Sequence, residues 1–380
     1  MPVEQTPQMP APAKKNPWIR TPLIESTNLS KAAGCRILLK LDNLQPSGSF
    51  KLRGIGHHLQ SALARSPHPE RVHFYCSSGG NAGLACVHAA QALGRPATVV
   101  VPVSTGEAMV AKLRAAGAEE VLRFGVGWRE ADGYLRGVVM KRAELELGGV
   151  GEAVYVHPFE GVEIWDGHAT LVEEVAVQMR ELGLGEQGPG VVVCSVGGGG
   201  LFNGVVQGVE ALGRDWEGTT VLAVETRGAE SLARALEAGE LVTLPAITSR
   251  ATSLGAATVS RRAFELARKY GGSGRVRTAV LSDAEAAMGC WRFADDERMV
   301  VELACGVSLA LCYGGRLEKA LGRAVGAGEV VVIVVCGGQN VTTGMVEGWR
   351  AEFGDLDLEV GAAESQSGDV PSAVTAVKGA

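Results

Sequence analysis

The chain has 380 residues, 46% of them hydrophobic, and 52 glycines, enough for two domains or one large α/β unit with many tight turns. A net charge of −6 and the lack of a basic stripe with interleaved aromatics exclude a nucleic-acid partner. Eight scattered cysteines show no C-x-x-C pair and no histidines at metal-ligand spacing, so they read as reduced, buried thiols of a cytosolic protein; no apolar run is long enough to cross a bilayer.

Residues 1–17, rich in Pro, Gln and Lys, are expected to be disordered, without the apolar core of a secretory signal. A short helix is expected near Leu29 to Ala33 and a strand from Ile37 to Leu41. Pro46 and Gly48 end that strand, and Ser49 is a candidate N-cap that would put Lys51 in the first turn of the next helix. A helix start disfavours a cation, so a lysine there loses affinity for its proton, which suits a nucleophile or base. On position alone Lys51 reads first as a solvated surface charge.

Strands and helices then alternate. Val72 to Cys76, Ala97 to Val101, Glu120 to Phe124 and Val154 to Val156 read as strands. Gly83 to Leu93, Gly106 to Ala116 and Trp128 to Leu147 read as helices, the last one long. The second half repeats the pattern. Helices are expected at His168 to Leu182, from the glycine run to Leu212, and at Glu230 to Glu237. Ser282 and Glu285 form a capping-box pattern opening a helix to about Ala294, and Cys305 to Leu321 reads as helical. Val191 to Cys194, Val221 to Val224 and Val330 to Val335 are strands, and residues from about 355 onward read as a frayed tail. Such alternation predicts parallel sheets with right-handed crossovers.

Ligands of open α/β sheets lie beyond the carboxyl ends of strands, where three loops stand out. Ser77-Ser78-Gly79-Gly80-Asn81-Ala82-Gly83 is either an ordinary strand–helix turn or a loop that offers hydrogen bonds to an anion. Gly197-Gly198-Gly199-Gly200 before a helix makes a phosphate cradle of backbone N–H groups. Phe202 stands where a dinucleotide fingerprint requires glycine, and no P-loop sequence surrounds the run. Cys336-Gly337-Gly338, alone, is a buried thiol before a turn. No H-E-x-x-H and no G-x-S-x-G occurs. A lysine amine, a phosphate cradle and an anion-binding loop on one α/β frame fit pyridoxal phosphate.

The residues P-S-G-S-F-K-L-R-G at 46–54, S-S-G-G-N-A-G at 77–83, S-V-G-G-G-G-L at 195–201 and V-C-G-G-Q-N at 335–340 are distinctive. Over about residues 20–350 the chain resembles the L-serine dehydratase / L-threonine deaminase family of pyridoxal-phosphate enzymes of fold type II. Within that group Cys336 is most similar to the ring-nitrogen cysteine of animal-type serine dehydratases. The resemblance implies two doubly wound α/β domains with the cofactor between them, 18–44 plus 156–354 as the large one and 45–155 as the small one. It implies β-elimination of water from L-serine or L-threonine, giving pyruvate or 2-oxobutanoate and ammonia.

It also implies roles for single residues. Lys51 would bind the cofactor aldehyde and act as the catalytic base, and Phe50 would pack on the ring. Asn81 would bond the ring hydroxyl, Gly197, Gly198, Gly199 and Gly200 the phosphate, and Cys336 would face the ring nitrogen. Ser78, Gly79 and Asn81 would hold the substrate. Backbone oxygens of Gly197, Ala229, Leu254 and Ala256, with Glu225 nearby, would hold a monovalent cation, usually potassium. A cytoplasmic homodimer is implied. No regulatory domain is expected after the catalytic region, since too few residues remain.

Two departures stand out. Gly79 replaces a common alanine, which is expected to enlarge the space beside the substrate, and Leu303 replaces a common proline, with a small backbone change expected. The alternatives are a serine racemase or β-replacement enzyme of the same fold, a non-catalytic homologue serving as a binding protein, and, more distantly, a nicotinamide dehydrogenase.

Overall fold

A computed structural model describes residues 16–146 and 152–355. The expected disordered N-terminus, apart from its last two residues, and the tail beyond 355 lie outside them.

The strands of the first half are β1 (Leu23–Glu25), β2 (Arg36–Lys40), β3 (Val72–Cys76), β4 (Ala97–Val101), β5 (Glu120–Arg123) and β6 (Glu152–Val156). Those of the second are β7 (Val191–Ser195), β8 (Thr220–Thr226), β9 (Val276–Leu281) and β10 (Val330–Val334). The helices begin with α1 (Thr27–Ala33), α2 (Lys51–Arg65), α3 (Asn81–Ala92), α4 (Glu107–Ala115), α5 (Trp128–Tyr134) and α6 (Met140–Glu146). They continue with α7 (Val162–Glu181), α8 (Gly200–Ala211), α9 (Ser231–Ala238), α10 (Arg261–Gly271) and α11 (Asp283–Glu297). The last are α12 (Leu303–Leu309), α13 (Arg316–Leu321) and α14 (Thr343–Phe353).

Two sheets result among the described residues, one of six strands in the order β1-β2-β10-β7-β8-β9 and one of four in the order β5-β4-β3-β6. All pairings are parallel except β1 with β2, where Leu23 faces Lys40. In the large sheet β10 is flanked by β2 and β7, with Val331 opposite both Ile37 and Val191. Central strands are covered on both faces and therefore read apolar throughout: every residue of β4 and of β7 is buried. One core surrounds the large sheet, another packs Phe74, Cys76, Leu84 and Val99 on one face of the small sheet, and a lesser one packs Tyr75, Val100 and Leu135 on the other. All eight cysteines are free and buried, Cys76 and Cys86 in the small-sheet core, the other six in the large one.

A buried charge cluster fixes α2. Arg53 donates to Asp42 at 2.7 Å and to Glu174 of α7 at 2.7 Å, and Lys40 reaches the same Glu174 at 2.6 Å. Thr21 closes it by donating from Oγ1 to Asp42 and accepting on its carbonyl from Lys40 and Gln178.

Several elements differ from the sequence expectation. Ser49 does not cap α2: Phe50 already has helical angles, and the Ser49 hydroxyl is buried without a partner. Ser49 instead forms an antiparallel bridge with Gly337. The expected long helix from Trp128 is interrupted at Leu135–Val139 by a π-helical turn. The helix expected over 305–321 breaks at Gly314 and Gly315, both left-handed. β1, β9, α10 and α14 were not foreseen. The Ser282–Glu285 capping box is present as expected.

Candidate functional site

The three singled-out loops all leave carboxyl ends of parallel strands, and main-chain bonds join the last of them to the start of α2. Phe50 N–H donates to Cys336 O at 3.1 Å and Gly338 N–H to Gly48 O at 2.9 Å, alongside the Ser49–Gly337 bridge. These bonds hold the start of α2 against the loop after β10. The loop after β3 joins them through Asn81, whose Oδ1 accepts from Gln339 N–H at 2.9 Å. Lys112 of α4 donates to Gln339 O at 2.5 Å, so the small sheet's helices meet the large sheet's last loop here.

Lys51 Nζ donates to Pro158 O at 2.7 Å. Burial pulls its pKa down to about 8, against weaker opposite pulls from Cys76 and Cys336. Phe50 packs on His168, ring centroids 5.1 Å apart. His168 is fully buried and neither ring nitrogen has a partner. Burial, Lys51 and Arg53 all hold it neutral.

Cys336 Sγ lies 3.4 Å from Ser195 Oγ and is buried. A hydrogen bond from the Cys305 thiol lowers its pKa, partly offset by burial, while Cys305 is raised, chiefly by its own burial.

The glycine run opens α8. Gly199 is its N-cap in the left-handed region at φ 89°, a conformation that favours glycine, and no side chain occupies the cap. A side chain on Gly198 would collide with the ring of Phe159. Thus the strip His157-Pro158-Phe159 touches both the amine, through Pro158 O, and the glycine run. His157 Nδ1 accepts from Phe159 N–H at 3.2 Å and Glu160 N–H at 2.8 Å, and burial takes its pKa down to about 4.

Ser78 Oγ accepts from Gly80 N–H at 3.3 Å. The carbon missing at Gly79 would lie 2.7 Å from Thr105 Oγ1 and 3.2 Å from Val101 Cβ, so the space the glycine leaves is taken by Thr105. Leu303 is the first residue of α12, the helical position that tolerates proline, so leucine there keeps the same helix start.

Among the positions expected to hold a cation, Gly197 and Leu254 are in contact: a carbon added to Gly197 would lie 2.9 Å from Leu254 Cα. Ala256 N–H donates to Leu254 O at 2.7 Å, and Ser231 N–H to Ala229 O at 3.0 Å. Glu225 is buried and accepts from the N–H groups of Leu232 and Ala233 at 2.8 Å each, and burial pushes its pKa up to about 7. Among the described residues no cluster of three His, Cys, Asp or Glu suits a metal ion.

Phe159 and His168, with Ser253 and Glu302, which accept from Asn81 Nδ2 at 3.3 Å and 2.9 Å, belong to this neighbourhood and were not singled out from sequence. The local signal for them in the sequence is His157-Pro158, which ends the strand read at Val154 to Val156.

A family model described as pyridoxal-phosphate dependent enzyme matches residues 15–337. A protein of Rattus norvegicus named serine dehydratase-like is 45% identical over 335 residues, 88% of this chain and 94% of that one. The L-serine dehydratase/L-threonine deaminase of Bos taurus is 40% identical over 338 residues, 88% of this chain and 96% of its own. Among solved structures, a fungal L-serine ammonia-lyase from Rhizomucor miehei is similar with a TM-score of 0.78 and 32% identity, covering 89% of this chain and all of the other.

Proposed function

This chain belongs to the family of pyridoxal-phosphate dependent enzymes, and from that premise we infer how its own residues serve the reaction. The enzyme is an L-serine/L-threonine ammonia-lyase. It removes water from L-serine or L-threonine and releases ammonia, leaving pyruvate or 2-oxobutanoate.

The observation that carries the residue roles is the depressed Lys51 amine, held beside a glycine cradle whose packing leaves no room for a side chain. Both features suit pyridoxal 5'-phosphate, which takes a lysine amine at its aldehyde and backbone N–H groups at its phosphate. Lys51 holds the aldehyde, Gly197 to Gly200 with the start of α8 hold the phosphate, Phe50 supports the ring, Asn81 meets the ring hydroxyl and Cys336 the ring nitrogen. Ser78, Gly79 and Asn81 receive the substrate at the start of α3. When bound, the cofactor withdraws electrons from the substrate's α-carbon, so that its proton and then the β-hydroxyl can leave.

The protein's part is to place and move protons. With a pKa of about 8, Lys51 has a substantial neutral fraction near pH 7.5, and a neutral amine can take the α-proton. Cys336, a thiol and not a carboxylate, would not hold a proton on the ring nitrogen, so the ring would stay neutral there. That disfavours long-lived carbanions and favours prompt elimination over racemisation.

Supporting observations extend to the finer assignments. The partition of strands between two sheets supports the domains 18–44 plus 156–354 and 45–155. The contact of Gly197 with Leu254 supports a potassium ion there. Eight free buried thiols support a reducing, cytoplasmic setting. A homodimer follows from the family resemblance.

The test is steady-state 2-oxo-acid formation from L-serine and from L-threonine in potassium and in sodium buffers. Wild-type protein should form pyruvate, faster in potassium, and Lys51→Ala should lose about 10³-fold or more. Retention of activity in Lys51→Ala would sink the lysine assignment, and D-serine as the main product would make the protein a racemase.

A further inference from the structure

Glu302 is a buried carboxylate, 4% exposed, immediately before α12. It is held by neutral donors from three separate segments of the chain. Asn81 Nδ2 donates to its Oε1 at 2.9 Å, Asn340 N–H donates to the same oxygen at 2.8 Å, and the Ser253 hydroxyl donates to Oε2. These residues lie 221, 38 and 49 positions away in the chain.

The consequence falls on Asn81. A carboxamide has one accepting end and one donating end, of nearly equal shape, and only its partners decide which faces which way. Here Gln339 N–H can only donate and faces Oδ1, whereas a carboxylate oxygen of Glu302, an acceptor, faces Nδ2. The second Nδ2 hydrogen points to Ser253 Oγ at 3.3 Å, the longest and most exposed of Asn81's bonds. It is the one hydrogen that a ligand oxygen could claim.

The loop after β10 is shaped around the same carboxylate. Gly338 has φ 115°, and any side chain on it would collide with Glu302 Oε1. The second glycine of Cys336-Gly337-Gly338, which the cofactor roles leave without a purpose, is thereby explained.

We propose that Glu302 is a positioning residue: it fixes the carboxamide of Asn81 so that its N–H, and not its carbonyl, meets the cofactor's ring hydroxyl. This rests on the assignment of Asn81 to that hydroxyl.

The test is the Kd of pyridoxal 5'-phosphate for the cofactor-free protein, measured by equilibrium dialysis. Glu302→Ala should raise Kd about tenfold, as expected for loss of a bond to a charged acceptor. Glu302→Asp keeps the charge but withdraws it by one methylene, and should lose affinity similarly. Glu302→Gln retains an acceptor where Oε1 stands and should stay within about threefold of wild type, because Ser253 can rotate to accept from the new amide. In an Asn81→Ala background, Glu302→Ala should change Kd less than about twofold, since the two act as one unit.

An unchanged Kd in Glu302→Ala or Glu302→Asp overturns the proposal, and so does an equal effect of Glu302→Ala in both backgrounds. If Glu302→Ala does not fold, Glu302→Asp against Glu302→Gln decides: equal affinities overturn it. An unchanged Kd in Asn81→Ala alone refutes the Asn81 assignment, and the inference with it.

Discussion

At Lys51 the proton affinity is set by burial more than by the helix start that first drew attention to it. The folded pKa of about 8 lies below the ordinary 10.5 of an exposed lysine. In the cofactor-free protein, folding therefore favours the neutral amine. Below pH 8 the folded state carries a charged, buried ammonium and is destabilised. As pH rises from 8 towards 10.5 the unfolded chain still binds the proton that the folded one has lost, so the penalty fades. Lys51→Met should thus raise the urea-unfolding free energy of cofactor-free protein at pH 7, and by less at pH 10. Equal gains at both pH values would show packing, not charge, to be responsible. Lys51 and the glycine run were legible in sequence because their chemistry demands a residue type within a short spacing. Phe159, His168 and Glu302 were not: each acts on a partner more than 20 residues away, and a lone buried Glu, Phe or His has no local signature.

α2 carries the amine, and its register against α7 is held by ions as well as by apolar packing. Arg53 is fully buried between Asp42 and Glu174. Arg53→Ala would leave Asp42 and Glu174 without the buried guanidinium that pairs with both, costing about 3–5 kcal/mol. Urea denaturation should show that loss, with activity falling as α2 shifts. The elements that sequence predicted well are those whose pattern is local: buried parallel strands such as β7, and the capping box of α11. The helix over 305–321 failed because two consecutive left-handed glycines turn the chain, which apolar periodicity does not register. β9 was missed because it is a sheet edge with exposed Arg277, so its apolar residues do not form an unbroken run.

At the scale of the molecule, each sheet has its own core, yet the loops of both converge on one place. The fold class was legible because alternating strand and helix patterns admit few topologies. That the loops are stitched by main-chain bonds, as between Phe50 and Cys336, was not, because backbone pairing between distant loops leaves no mark on side-chain identity. The eight sheltered sulfurs have a practical consequence. A bulky maleimide can reach them only in molecules that have opened, so the alkylation rate counts openings and needs no added probe. Tryptic mapping should find Cys76 and Cys86 tagged in step with Cys194 and Cys336 if the halves open as one, and sooner if the core of the smaller half opens by itself. Saturating pyridoxal 5'-phosphate should slow every tag, since the vitamin derivative would clasp both halves shut.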